Sequence, residues 1–202
     1  MKALRPALFV AFALMASSAL AQTIKIGFIT SYSGLNGNLG PYMERAVRLY
    51  IKQHEKELPP GVKIELITRD DTGPNPDKAK QLAQELIVRD KVNLLAGVIF
   101  TPNAMAIAPL ATEAKVPFVI MNAGTAVITT RSPYIARTSF TLWQSSFPLG
   151  QWASKKFKTA YTLVSDFELA GDQIQATTWG IVTEVNGIVI QPVTCMLLSQ
   201  VA

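Results

Sequence analysis

The sequence predicts an α/β fold: a parallel sheet covered by helices on both faces, forming one lobe and the start of another. Three observations carry this. Strand-like runs and helical-period stretches alternate without exception from Thr23 to Met121. The runs are almost continuously apolar, as strands buried on both faces must be. A fresh strand–helix–strand cycle then begins after Phe157, more than one small sheet needs.

The chain's first segment stands apart from that alternation. Lys2 and Arg5 precede an apolar run from Ala7 to Ala16, and Ala19-Leu20-Ala21 supplies a small-residue site. A basic start, a short apolar stretch and an A-x-A pattern read as a cleaved export signal over residues 1–21, leaving Gln22 as the new N-terminus. Spanning a bilayer would take about 20 apolar residues, and Ser17 and Ser18 interrupt this one first. No cysteine follows the cut, so that site offers no lipid attachment, and a soluble periplasmic protein is expected. Of the 202 residues, 49% are hydrophobic, a figure the leader inflates. Loss of Lys2 and Arg5 takes the formal charge from +5 to +3. The remaining basic residues are interspersed with carboxylates, which argues against a nucleic-acid partner. The single cysteine, Cys195, has no internal disulfide partner and reads as a small buried apolar residue.

The first strand, Thr23–Thr30, alternates around Ile24, Ile26 and Phe28 and breaks into Ser31-Tyr32-Ser33-Gly34. A glycine-rich loop runs to Gly40, and Pro41 opens a helix, where its missing N–H costs nothing. Met43, Ala46, Val47, Tyr50 and Ile51 give that helix its apolar stripe, and Pro59-Pro60-Gly61 stops it. A second strand, Val62–Thr68, ends at Arg69-Asp70-Asp71-Thr72-Gly73. Asn75-Pro76 caps the next helix, whose core face is Ala79, Leu82, Ala83, Leu86 and Ile87. Val92–Gly97 is the third strand, Thr101-Pro102 starts a helix running to about Ala114, and Val116–Met121 is the fourth strand. After a polar loop from Asn122 to Thr130, Tyr134–Ser139 reads as a short strand. Leu142–Phe157 follows as a helix with Phe147, Leu149, Trp152 and Phe157 on its apolar face. Ala160–Val164, Asp172–Val185 and Ile188–Val193 then read as strand, helix and strand. The organisation expected is a first lobe over 22–141, still incomplete, and the start of a second over 142–202.

In an open parallel sheet, ligands bind beyond the carboxyl ends of the strands. The candidate loops are therefore Ser31–Gly40, Asp70–Asn75, Phe100–Asn103 and Asn122–Thr125. Three of the four are rich in hydroxyls, amides and glycine, groups that can bind an anion without a full counter-charge. Thr101 opens a helix, where unpaired N–H groups and the dipole favour a carboxylate, and Phe100 beside it offers an apolar wall. Taken alone, Thr101 is equally an N-cap and Thr125 a turn hydroxyl. Two hydroxyls leaving neighbouring strands make a more specific proposal than either one.

Together the leader, the strand Ile24–Phe28 with Ser31-Tyr32-Ser33-Gly34, the Asp70-Asp71 turn, Gly97–Thr101 and Met121–Thr125 resemble the branched-chain amino-acid receptor family. These are type I periplasmic binding proteins serving ABC transporters. The resemblance runs from about Ile24 to Gly171. It implies two α/β lobes closing on a small carboxylate-bearing ligand, no cofactor or metal, and an inner-membrane ABC permease as partner. Carried over by position, it implies Thr101 and Thr125 as carboxylate ligands with the Ala123 backbone beside them, and a second-lobe loop at Ser165-Asp166-Phe167. Family members accept aliphatic amino acids or aromatic acids. Asp166 is the candidate for an ammonium group, and Phe100, Phe140 and Trp143 are candidates for an aromatic slot, though aromatics at such spacings are more often core. Family receptors cross the hinge three times and this sequence crosses once, so the expectation is a truncated or split reading frame.

Two other roles compete. One keeps the fold but makes it a ligand-sensing periplasmic domain. The other is a nucleotide-dependent enzyme, suggested by Gly34, Gly37 and Gly40 after the first strand with Asp70 and Asp71 after the second. Dinucleotide binding requires G-x-G-x-x-G in a short turn straight into a helix, and here the spacing is wrong and the loop long. No G-x-S-x-G elbow is present, and His54, the only histidine, lies in a charged stretch. A binding protein, not an enzyme, is expected.

Overall fold

The computed structural model describes residues 22–157, 159–165 and 189–195. The leader, Asp166 and the helix expected over 172–185 lie outside the described residues. Five parallel strands form the main sheet: β1 (Gln22–Thr30), β2 (Val62–Asp70), β3 (Leu94–Gly97), β4 (Phe118–Ile120) and β5 (Ile135–Arg137). Their order is β2-β1-β3-β4-β5. The helices between them are α1 (Leu39–Gln53), α2 (Pro76–Val88) and α3 (Thr101–Ala114), and α4 (Leu142–Ser154) follows β5. Farther on, β6 (Thr159–Ser165) and β7 (Val189–Cys195) pair in parallel as a separate two-stranded sheet. No helix among the described residues is long and apolar enough to cross a membrane.

Local chemistry sets the helix starts. At α2, the Asn75 side chain accepts from the Lys78 N–H and Pro76 occupies the first turn. At α4, Thr141 and Gln144 form a reciprocal capping box, each side chain accepting from the other's backbone N–H at 3.0 and 2.7 Å. α1 begins at Leu39, two residues before the proline that suggested its start, because the turn at Asn36–Asn38 already winds into it.

The sheet's two faces are covered unequally. Side chains alternate along each strand, so Ile29, Leu95, Phe118 and Ile120 point to one face. There they pack with Leu86 and Ile107 from α2 and α3, and all six are fully buried. On the other face Ile26, Leu94 and Val119 are half-buried. α1 lies on that side, where Thr30 Oγ1 donates to Met43 Sδ at 3.8 Å. The stripe expected along α1 splits in consequence: Met43, Val47 and Ile51 are half-buried, while Ala46 and Tyr50 face solvent. Tyr50 instead stacks on His54, with ring centroids 4.0 Å apart. The apolar face expected on α4 is likewise open at Leu149, Trp152 and Phe157, and the last two rings pack edge to face.

Candidate ligand-binding site

β1 has β2 on one side and β3 on the other, each strand reached from it in the opposite direction across the sheet, which makes the carboxyl end of β1 and β3 a switch point. At that edge β3 ends abruptly. Gly97 has φ +109°, and a side chain there would put its Cβ 2.3 Å from the Ile29 carbonyl oxygen, so no other residue fits. Val98 follows at φ +64°, a left-handed conformation that costs a β-branched residue about 1–3 kcal/mol. It is held there by donating its N–H to Ile29 O at 2.7 Å and by its carbonyl, which accepts from the Ala123 N–H at 3.2 Å.

This turn delivers Thr101 to the edge. Phe100, in extended conformation and without a side-chain cap bond, occupies the N-cap position of α3. The Thr101 hydroxyl is therefore not spent on capping its own helix. It lies 2.9 Å from the Thr125 hydroxyl, so the structure brings together the two hydroxyls read from the sequence. Thr125 is buried and Thr101 half-buried.

Thr125 comes from the loop after β4, whose amides and carbonyls point opposite ways. Met121 and Ala123 donate their N–H groups toward β3, to Gly97 O and Val98 O. The carbonyls face the segment after β5. Thr138 N donates to Ile120 O at 3.0 Å, and Leu142 N donates to Gly124 O at 2.7 Å. Ser139 Oγ donates to Asn122 O at 3.4 Å, and Arg137 Nη1 donates to Thr125 O at 2.7 Å and to Ala123 O at 3.5 Å. Ala123 thus sits next to the hydroxyl pair, but its N–H is already committed to Val98.

A second polar cluster lies under the neighbouring loops. The fully buried Asp71 carboxylate accepts from Ser31 Oγ at 2.6 Å, Asn103 Nδ2 at 2.8 Å and the Gly73 N–H at 3.2 Å. Asn103, in the first turn of α3, also donates to Gly73 O at 2.9 Å. Its Oδ1 is buried and has no hydrogen-bond partner among the described residues. Asp70 ties the loop after β1 to the loop after β2, accepting from Ser33 Oγ at 2.6 Å and from the N–H groups of Tyr32 and Thr72 at 2.9 Å. Burial alone would raise the Asp70 carboxyl, but the Ser33 hydroxyl and these N–H groups outweigh it and hold the group below its ordinary value. Tyr32 donates to Glu44 at 2.5 Å; burial first, then this bond and the Glu44 charge, push the phenol well above its usual range.

The aromatic candidates do not close into one wall. Phe100 is buried, Phe140 is 67% exposed, and Trp143 stacks along its own helix on Phe147 with centroids 6.2 Å apart. In the two-stranded sheet, Ser165 ends β6 in register with Cys195. Hollows of about 330 and 290 Å³ lie between α1 and β2 and between α2 and α3, and neither is lined by Thr101 or Thr125. Sequence reasoning missed Arg137 and Asn103. Arg137 carried a signal, a cation closing an otherwise apolar three-residue strand. Asn103 carried none beyond polarity in a first helical turn.

The periplasmic binding protein family model matches residues 23–195. A Leu/Ile/Val-binding protein homolog from Brucella abortus is 40% identical over 157 residues, which make up 77% of this chain and 40% of the relative. The solute-binding protein of an ABC transporter from Rhodopseudomonas palustris BisB5, solved with 3,4-dihydroxybenzoic acid, superposes with a TM-score of 0.79. It is 46% identical, over 88% of this chain and 48% of that one. A second R. palustris solute-binding protein, solved with 4-hydroxybenzoate, gives a TM-score of 0.80 at 40% identity, again over 88% and 48%. The chain spans less than half the length of each of these relatives.

Proposed function

The chain belongs to the periplasmic binding protein family, and from that premise we propose that it supplies the first-lobe wall of a solute receptor for an aromatic carboxylate. The carrying observation is the Thr101–Thr125 hydroxyl pair, 2.9 Å apart beyond the carboxyl ends of β3 and β4, next to the switch point of a five-stranded parallel sheet. The two hydroxyls share one hydrogen bond, one donating and the other accepting. A carboxylate placed between them would accept from both, two hydrogen bonds to a charged group in a half-buried setting.

An amino acid would also need an acceptor for its ammonium. The two acids at this edge are occupied: Asp71 by Ser31, Asn103 and Gly73, and Asp70 by Tyr32, Ser33 and Thr72. A ligand bearing a carboxylate and no ammonium fits this wall better, and the hydroxybenzoate complexes of relatives at 40% and 46% identity support that class. Ser165 and Asp166 are proposed as the opposite wall, contributed by the second lobe, where Asp166 would be the acceptor for an ammonium. The preference for a ligand without one therefore rests on this first wall and on the hydroxybenzoate complexes of the relatives. In the whole protein the bound solute would pass in the periplasm to an inner-membrane ABC permease, the exported location following from the leader over residues 1–21.

The test is a titration of the chain, its threonine methyls isotope-labelled, with 4-hydroxybenzoate and separately with leucine. The expected result is saturable shifts at Thr101 and Thr125 with 4-hydroxybenzoate, at lower concentration than with leucine. Shifts at neither residue with either ligand would refute the site. Tighter binding of leucine would move the ligand class to amino acids.

A further inference from the structure

We infer that Arg137 is a positioning residue for the carboxylate site, turning carbonyl oxygens of the Thr125 loop away from the ligand and placing a fixed positive charge behind it. The inference rests on the carboxylate reading above. In a trans peptide the C=O and N–H point opposite ways, so whatever holds the carbonyls also aims the amides. The carbonyls of Ile120 at the end of β4 and of Asn122, Ala123, Gly124 and Thr125 in the loop after it point toward the segment 137–142, and the amides of Met121 and Ala123 point toward β3.

Four of those carbonyls matter most, because they flank Thr125 and an exposed carbonyl oxygen there would repel a carboxylate. Leu142 N and Ser139 Oγ take one each, at Gly124 and Asn122. Arg137 takes two, Thr125 O at 2.7 Å, which also accepts from the Ile128 N–H at 3.3 Å, and more weakly Ala123 O at 3.5 Å. Arginine suits this task because its planar group is permanently charged and presents several donors in a fixed fork. Arg137 is half-buried, where its charge is screened less than at the surface. The same side chain therefore sets the loop's orientation and biases the electrostatics toward an anion.

The separating experiment uses two probes of one shape, benzoate and its neutral counterpart benzamide, read through the Thr101 and Thr125 methyl shifts in wild type, Arg137→Gln and Arg137→Lys. Arg137→Gln is expected to weaken benzoate at least about tenfold while changing benzamide by no more than about twofold, the asymmetry expected when a charged contribution is removed. Arg137→Lys, keeping the charge but not the fork, should restore most of the benzoate preference. Equal benzoate binding in wild type and Arg137→Gln overturns the inference, as does an equal loss for both probes, which would mark a structural role only. If Arg137→Gln does not fold, Arg137→Lys carries the test: a roughly threefold benzoate loss with benzamide unchanged supports the inference, and no change overturns it. Failure of wild type to bind benzoate would refute the site reading itself, a separate outcome.

Discussion

Two polar clusters sit side by side at the carboxyl edge of the sheet, and they use their hydrogen-bonding capacity in opposite ways. In the Asp71 cluster, the carboxylate is saturated from within the chain by Ser31, Asn103 and Gly73. In the Thr101–Thr125 pair, two hydroxyls meet each other while the loop's carbonyls are drawn off by Arg137 and Leu142. The first arrangement consumes its own donors, leaving only the Asn103 Oδ1 acceptor without a partner among the described residues. The second keeps donors available where an anion could approach. Chemistry alone would not have ranked them, since an aspartate draws attention before a threonine does. What separates binding wall from internal brace is how the valences are spent.

The sharpest way to break this comparison is at Asp71. Asp71→Ala would leave Ser31, Asn103 and the Gly73 N–H without their shared acceptor in a fully buried place. Each buried donor left unpaired costs about 1–3 kcal/mol, and such losses are not additive, so the expected destabilisation is at least about 3 kcal/mol in urea unfolding. A loss under about 1 kcal/mol would mean that water replaces the carboxylate readily and that the brace is not one.

At the hydroxyl pair the order of effects should reverse. Thr101→Ala and Thr125→Ala are each expected to weaken 4-hydroxybenzoate by about 1.5–3 kcal/mol, the range for hydrogen bonds to a charged group. Their stability cost should be smaller, about 1 kcal/mol. Thr125→Ser, which keeps the hydroxyl, should retain most of the affinity. Unchanged affinity in both alanine variants, measured by the methyl titration, would remove these residues from the site.

The contrast also shows what was legible in the sequence. The alternation of apolar strands with helices gave the parallel architecture, and Asn75-Pro76 gave the start of α2, because both are short-range signals. Thr101 and Thr125 were legible as a pair, since each leaves the end of a neighbouring strand. The brace was not legible: it joins Ser31, Asp71 and Asn103 across 40 and 32 positions of chain. Arg137 was missed for a different reason: its partners, 12 and 14 positions away, are backbone carbonyls that carry no residue identity. The stripe on α1 was overestimated because periodicity records an apolar face without recording whether anything packs on it. Tyr50 keeps the helical spacing and is 64% exposed.

Beside the Asp71 cluster lies Asp70, which joins the loops after β1 and β2 and sharpens the comparison through pH. Its folded carboxyl titrates below the ordinary value because, against the raising effect of burial, the Ser33 hydroxyl and the N–H groups of Tyr32 and Thr72 favour the charged form. The unfolded chain returns it to about 3.9. A carboxyl depressed on folding contributes stability that is fully present above the unfolded value and is lost as pH falls through the folded one. Wild type and Asp70→Asn should therefore differ in urea midpoint at pH 6, and the gap should narrow as pH is lowered from about 5 toward 3. The effect is expected to be the smallest of the set, since Asp70 is only half-buried and water can partly replace its donors. A gap that stays constant across that range would show that Asp70 holds the loops by shape rather than by charge. The clasp between them would then owe more to the packing of Gly34 against the Thr72 carbonyl, where an added Cβ would stand 2.3 Å from the oxygen.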